Sequence, residues 1–339
     1  MNFRYTLSFL RLLRIPGMLS VMKDWQAFLR MHFLFAAYES GLLAALKIPC
    51  GKESLIEALG VKRPDLLDAL LDMGRALGEL TVKNGLFAIR GKRSKAVISD
   101  KGDIIAAMIQ ANVTYYSDAY RHIARRLKGG ALGDDLEEIG DLVARFSKGV
   151  APVIRKFVSA VVSGKSSMRV LDVGCGSGVH LRSVYTANVN ASGIGMDIDP
   201  AVVCQATENI AQWGLKDRFE IFHGDIRNPP AGVSGSFDLI TLYNVLYYFN
   251  RQDRNALLGR VRSMLSPGGA LAVVMNFHSQ GRDIAAANLN VVNCSLKGLT
   301  PLPGLDEMTA LLKQAGFSEI KIHHFLPAST FCGIVASGG

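Results

Sequence analysis

Up to about residue 150, apolar residues recur at three- and four-residue spacings with few β-branched runs, which predicts helices over 24–47, 53–59, 64–78 and 103–128. Between the third and fourth, Leu80-Thr81-Val82 and Leu86-Phe87-Ala88-Ile89 flank Lys83-Asn84-Gly85, and Asn-Gly between apolar runs is a hairpin signal. Helices followed by a hairpin give the order of a winged helix. That order serves DNA binding in some proteins and only packing in others, so it does not decide function. In residues 1–22, Arg4, Arg11 and Arg14 share one side of a helix whose remainder is Leu, Phe and Ile, and Pro16-Gly17 ends the pattern. This reads as an arm packed on a partner subunit, with a helix lying on a membrane surface as the alternative. Segment 131–165 reads as a helical connector, bounded by Gly129-Gly130 and Gly133 before it and by Ser163-Gly164-Lys165-Ser166 near its end.

Beyond residue 165 the pattern changes to short apolar runs alternating with helices, with strands over 168–173, 192–197, 218–222, 237–242 and 270–275. Such alternation implies βαβ units and a parallel sheet with helices on both faces, an α/β fold. A helix from about 304 to 316 and strands near 318–325 and 328–336 follow. The expected organisation is an arm (1–22), a mainly helical, winged-helix-like domain (23–165) and an α/β domain (166–339), two domains being the norm at 339 residues.

Composition narrows the function classes. Apolar residues are 49% and charged residues 20%, the balance of a folded globular chain. Cys50, Cys175, Cys204, Cys294 and Cys332 are widely spaced without a CxxC pair, so neither a disulfide framework nor a zinc site is indicated, and a reducing, cytoplasmic location is expected. No run reaches 18 uncharged apolar residues, so no transmembrane segment is expected. The net charge of +9 invites a nucleic-acid reading, but the basic clusters at Lys92, Arg93 and Lys95 and at Arg121, Arg125, Arg126 and Lys128 lack interleaved aromatics. Helix 64–78 mixes Arg63 and Arg75 with Asp65, Asp68 and Asp72, which opposes a phosphate-facing surface. Solvated faces, or an anionic small substrate, account better for the charge.

The decisive segment is Val170-Leu171-Asp172-Val173-Gly174-Cys175-Gly176-Ser177-Gly178, an apolar strand running through glycines into a helix near Val179. Glycine lets the backbone approach a ligand, and the helix N-terminus favours an anionic group. A dinucleotide fingerprint would want Gly or Ala at 179, where Val stands. Asp172 inside the strand end instead resembles the xLDxGCGxG motif of class I methyltransferases, which use S-adenosylmethionine. The resemblance extends along the chain. Gly193-Ile194-Gly195-Met196-Asp197 ends the second strand with an acid placed to accept hydrogen bonds from both ribose hydroxyls. His223-Gly224-Asp225-Ile226 matches the position where an acid meets the adenine amino group and a small apolar residue lines the ring. Ser236-Phe237-Asp238-Leu239-Ile240 and Leu265-Ser266-Pro267-Gly268-Gly269 match the fourth strand and the turn before the fifth. The resemblance implies a seven-stranded Rossmann-like sheet and a cofactor site of Asp172, Gly174, Gly176, Gly178, Asp197, Ile198, Gly224, Asp225, Ile226 and Asn244, with Asp199 a neighbour of it.

The leading half resembles the dimerisation domain of two-domain O-methyltransferases of the hydroxyindole and plant phenolic type, on Tyr38-Glu39-Ser40-Gly41-Leu42-Leu43-Ala44-Ala45-Leu46. It implies a homodimer and a small-molecule acceptor. In that family a His after the fourth strand serves as general base; here the stretch is Leu246-Tyr247-Tyr248-Phe249, so Tyr247 holds its place. A phenol of ordinary pKa near 10 is a poor base at neutral pH, though it can orient an acceptor. Three routes stay open: another base, an acceptor already nucleophilic, or decarboxylation or hydroxylation in place of methyl transfer. His278, after the fifth strand, is the candidate substitute base, with an exposed loop His as the plain alternative. Tyr115, Tyr116, His122 and Tyr248 are candidate acceptor contacts. Arg121 and Arg125, at i and i+4 of one predicted helix, are candidates to hold a carboxylate. A winged-helix regulator sensing the cofactor is a further alternative. His323 and His324 point to opposite faces of a strand, His180 reads as structural, and no metal site is expected.

Overall fold

The computed structural model describes residues 15–134, 142, 145–327 and 329–338. Most of the expected arm, and residues 135–141, 143 and 144 of the expected connector, lie outside them. The chain divides into two compact units, 1–118 with 138–147 and 119–137 with 148–339.

The first unit is helical, with helices Met18–Glu39, Leu42–Ala45, Lys52–Ala58, Pro64–Ala76, Lys92–Val97 and Gly102–Ala111 and one hairpin, β1 (Leu80–Lys83) paired antiparallel with β2 (Leu86–Ile89). Asn84 and Gly85 both have positive φ, 52° and 78°, as a two-residue type I′ turn needs. Phe33, Leu34, Leu42, Leu43, Leu55, Leu67 and Leu71 form its core. The helix expected over 24–47 instead starts at Met18, behind Gly17 (φ 82°), and stops at Glu39, where Gly41 (φ 75°) redirects the chain so that Leu42 and Leu43 can be buried. The expected border at 22 therefore falls inside a helix.

The helix expected over 103–128 is also broken. Asn112–Tyr116 is a π-helical turn, followed by short helices Ser117–Arg121 and Ile123–Arg126 around His122. Side chains of Asn112, Thr114 and Ser117 bond back to the carbonyls of Met108, Gln110 and Asn112, which bends the helix away from regular geometry. Within 131–165 the described residues include the helix Ala151–Val162, whose Phe157, Val158 and Val162 pack into the core of the second unit. The expected border at 165 therefore lies within that unit.

The second unit is built on β3 (Met168–Val173), β4 (Ala191–Asp197), β5 (Phe219–His223), β6 (Phe237–Tyr243), β7 (Leu265–Asn276), β8 (Glu319–His324) and β9 (Phe331–Ser337). Their order in the sheet is β5-β4-β3-β6-β7-β9-β8, parallel from β5 to β7 and antiparallel at β9 and β8. Alternate residues feed two cores: Leu171 and Val173 face one, Met168 and Val170 the other. The register slips from Phe237–Leu265 to Leu239–Ala270, so the Ser266–Gly269 turn bulges out of a strand that begins earlier than expected. The chain runs outward from β3 to β4 and β5, then returns to β6 on the other side of β3. The switch point, where α/β sheets open a crevice at their carboxyl ends, is therefore between β3 and β6.

One carboxylate fastens the far rim of this sheet. Asp283 caps the helix Ile284–Asn293 through Ala285 and Ala286 N–H and also accepts from Ser329 Oγ and from Thr330 N and Oγ1. Asp283→Ala, which orphans these donors, should cost about 2–4 kcal/mol in urea unfolding, whereas Ile284→Ala, removing an exposed neighbour, should cost under about 1 kcal/mol.

Candidate active site

Three left-handed glycines turn the end of β3 into the helix Val179–Ala187: Gly174 (φ 67°), Gly176 (φ 53°) and Gly178 (φ 77°). Gly174 N–H and Cys175 N–H both donate to Met196 O, at 2.7 and 3.0 Å, folding the loop over the end of β4. A Cβ on Gly174 would meet Val245 at 2.6 Å, while one on Gly176 would meet no protein atom within 4 Å. Gly174 is thus needed for packing, and Gly176 borders open space where a ligand can lie against backbone.

Asp197 stitches the same place together. Its Oδ2 accepts from Gly176 N–H at 3.0 Å and its Oδ1 from Asp199 N–H at 3.2 Å, leaving each oxygen a further acceptor position. Asp199 caps the helix Pro200–Gln212, as befits a neighbour rather than a ligand. Ile198 next to it is 61% exposed, an apolar side chain offered at the mouth of the crevice. Asn244, after β6, is held at φ 56° with its N–H on Val274 O, a left-handed non-glycine residue at the switch point.

Two sites change on seeing the packing. Ile226, expected to line a ring, is 2% exposed and lies in the core with Leu171 and Val173. Gly224 is small because a Cβ there would press on Pro230 at 2.7 Å. Asp225 keeps its rim position, but Arg227 grips it through both guanidinium and backbone nitrogens, holding its carboxyl below the usual range.

The expected carboxylate clamp is not formed as a helical pair. Arg121 ends one short helix and Arg125 sits in the next, with the non-helical His122 between them, so the i, i+4 geometry of one continuous helix is lost. Both arginines are exposed. Tyr115 and Tyr116 lie on the π-helical turn of the first unit, where burial raises the Tyr116 pKa. His278 is exposed, with its backbone N–H on Pro303 O. Tyr247 and Tyr248 occupy a 3-10 turn with ring centroids 5.0 Å apart. Tyr247 packs against the core, whereas Tyr248 is 48% exposed, with its pKa raised by desolvation and then by the charge of Asp197.

Sequence patterns missed what holds that turn. Arg254, 1% exposed, donates to Thr300 Oγ1 at 2.8 Å and Pro301 O at 2.7 Å, and the Thr300 hydroxyl reaches the carbonyls of Tyr247 and Phe249 at 2.9 and 3.0 Å. A buried arginine in a helix that also carries Arg260 and Arg262 gives no local signal of its distant partners.

Comparison with known proteins follows the geometry. Residues 170–269 match the family model of the methyltransferase domain. Over that segment the chain is similar to methyltransferase domains that use S-adenosylmethionine. Trans-aconitate 2-methyltransferase of Deinococcus radiodurans is 28% identical over 165 residues, covering 48% of this chain and 60% of that relative. The chain thus spans less than two thirds of that relative's length. The structure of the mitomycin 7-O-methyltransferase superposes with a TM-score of 0.80 at 19% identity, covering 96% of this chain and 99% of the other. Human N-acetylserotonin methyltransferase, solved with S-adenosylmethionine, superposes at 0.73 with 17% identity over 96% and 99%. These solved structures share the fold across both units.

The residues fit the cofactor. Gly176 borders open space, Asp197 has unfilled acceptor positions, and Asp172 Oδ2 is buried with no hydrogen-bond partner. The other oxygen of Asp172 accepts from the Thr241 hydroxyl. Burial pushes its pKa up to about 7, with the Thr241 bond opposing and the charge of Asp197 adding.

The sign of the pH effect follows. Between about pH 4 and pH 7 the folded chain keeps a proton that the unfolded chain has lost, so Asp172 makes stability fall as pH rises through that window and then level off. Asp172→Asn, uncharged throughout, should match the intact protein near pH 4 and exceed it by roughly 2–4 kcal/mol at pH 8 in ligand-free urea unfolding.

Proposed function

We propose that the chain is an S-adenosylmethionine-dependent methyltransferase acting on a small-molecule acceptor. The observation carrying this is the glycine turn at the switch point, closed by Met196 O and Asp197 and bordered by open space at Gly176. Bound S-adenosylmethionine supplies an electrophilic methyl group for in-line displacement. What the chain's residues do is hold and shield: Asp197 accepts from the ribose hydroxyls, Gly174 and Gly176 let the backbone approach, and Ile198 covers an apolar ring face. Holding reactants in line in a water-poor crevice accounts for much of such a rate.

The acceptor is one that needs no strong general base. Tyr stands at 247, and its carbonyl, not its hydroxyl, is the group fixed by Thr300. A thiol, thioether, amine or stabilised carbanion meets that condition. His278 is the base for a hydroxyl acceptor.

The helical unit serves as a homodimerisation unit. Its first helix exposes Val21, Trp25 and Phe28 on one face, an apolar stripe that a second copy would bury. The free cysteines suit a cytoplasmic enzyme.

Calorimetry with S-adenosylhomocysteine should give micromolar binding that Asp197→Ala weakens at least tenfold, and acceptor turnover should release S-adenosylhomocysteine and methylated product in equal amounts. Turnover without methylated product would reject methyl transfer. In sedimentation, the Trp25→Glu/Phe28→Glu double variant should run as a monomer where the intact chain runs as a dimer; an intact monomer would remove the dimer from the proposal.

A further inference from the structure

The segment His223-Gly224-Asp225-Ile226 closes β5, and three of its residues already have an account. Gly224 makes room for Pro230, Asp225 is gripped by Arg227, and Ile226 lies in the core. His223 has none so far. It is exposed, yet its ring is engaged: Nε2 lies 3.0 Å from the carbonyl oxygen of Ile198. A carbonyl can only accept, so Nε2 carries the hydrogen and donates. The contact joins the ends of β4 and β5, where His223 stands opposite Asp197 in the parallel register. The next residue adds a backbone bond, Gly224 N–H donating to Asp197 O at 2.9 Å. The end of β5 thus takes the carbonyls of both Asp197 and Ile198.

The exposure of Ile198 gives this bond its consequence. A side chain in a packed core is placed by its neighbours. One that is 61% exposed is placed by its backbone instead. On one side that backbone is fixed by Asp197, which accepts from Gly176 and Asp199 N–H, and on the other by Asp199, which caps the helix Pro200–Gln212. Between them the carbonyl of Ile198 is taken by the His223 ring. β5 is the last strand on its side of the sheet, so no further strand holds this end.

We propose that His223 is a positioning residue for the nucleoside end of the ligand: by holding the Ile198 carbonyl, it sets the Ile198 side chain against the ring that this side chain covers. The proposal rests on the cofactor reading above, in which Ile198 covers an apolar ring face. His223 acts through Ile198.

The test is calorimetry with S-adenosylhomocysteine. His223→Leu keeps the bulk and removes the donor, and should weaken binding roughly three- to tenfold, the worth of one hydrogen bond. His223→Gln puts an amide N–H where Nε2 was, and should stay within about twofold of the intact protein. Ile198→Ala should also weaken binding, and His223→Leu added to it should cost less than about twofold more, because residues acting through one contact are not additive. Unchanged affinity in His223→Leu or in Ile198→Ala, no recovery in His223→Gln, or fully additive losses in the double variant each overturn the proposal. Should His223→Leu not fold, His223→Ala takes its place with the same expectations. An intact protein that does not bind S-adenosylhomocysteine rejects the cofactor reading itself, whereas an intact protein that binds it and a His223→Leu variant that binds it equally well reject only the role of His223.

Discussion

The candidate site depends on one short set of backbone hydrogen bonds: Gly174 and Cys175 N–H to the carbonyl of Met196, and Gly176 N–H to the carboxylate of Asp197. They bind the turn after one strand to the end of its neighbour. Only a chain that can take positive φ three times within five residues can make that turn, which is why glycines stand at 174, 176 and 178. Asp197 enters this arrangement as a structural acceptor first, and its remaining lone pairs are then already aimed at the crevice.

Electrostatics adds a second constraint. Asp172 and Asp197 are both acids at the carboxyl ends of adjacent strands, and burial of Asp172 together with the charge of Asp197 favours its neutral form in the ligand-free chain. An incoming positive group reverses that balance, since an ion pair favours the charged carboxylate. Tyr243, buried against His180 and Phe157, extends the same polar spot across to β6.

The acceptor side is built differently. The tyrosine turn is not part of the sheet and is held by a strap, with Arg254 binding Thr300 and Pro301 and Thr300 binding the carbonyls of Tyr247 and Phe249. A buried guanidinium is costly unless its hydrogens are used; here Nη2 of Arg254 donates twice, while its Nε is buried without a partner among the described residues.

The order of strands, the glycine turn and the acids at 172, 197 and 225 could be read along the chain because they are local: period-two and period-3.6 patterns, and residues within a few positions of one turn. So could the Asn84-Gly85 hairpin. Tertiary structure decided the rest. The helix expected from 103 to 128 has sound periodicity, yet back-bonding side chains interrupt it and separate Arg121 from Arg125. Ile226 reads by resemblance as lining a ligand ring but is drawn into the core, and Gly224 makes room for Pro230. Arg254 and Thr300 gave no signal, since what makes each of them matter is a partner 46 to 53 positions away, and no local pattern encodes that pairing.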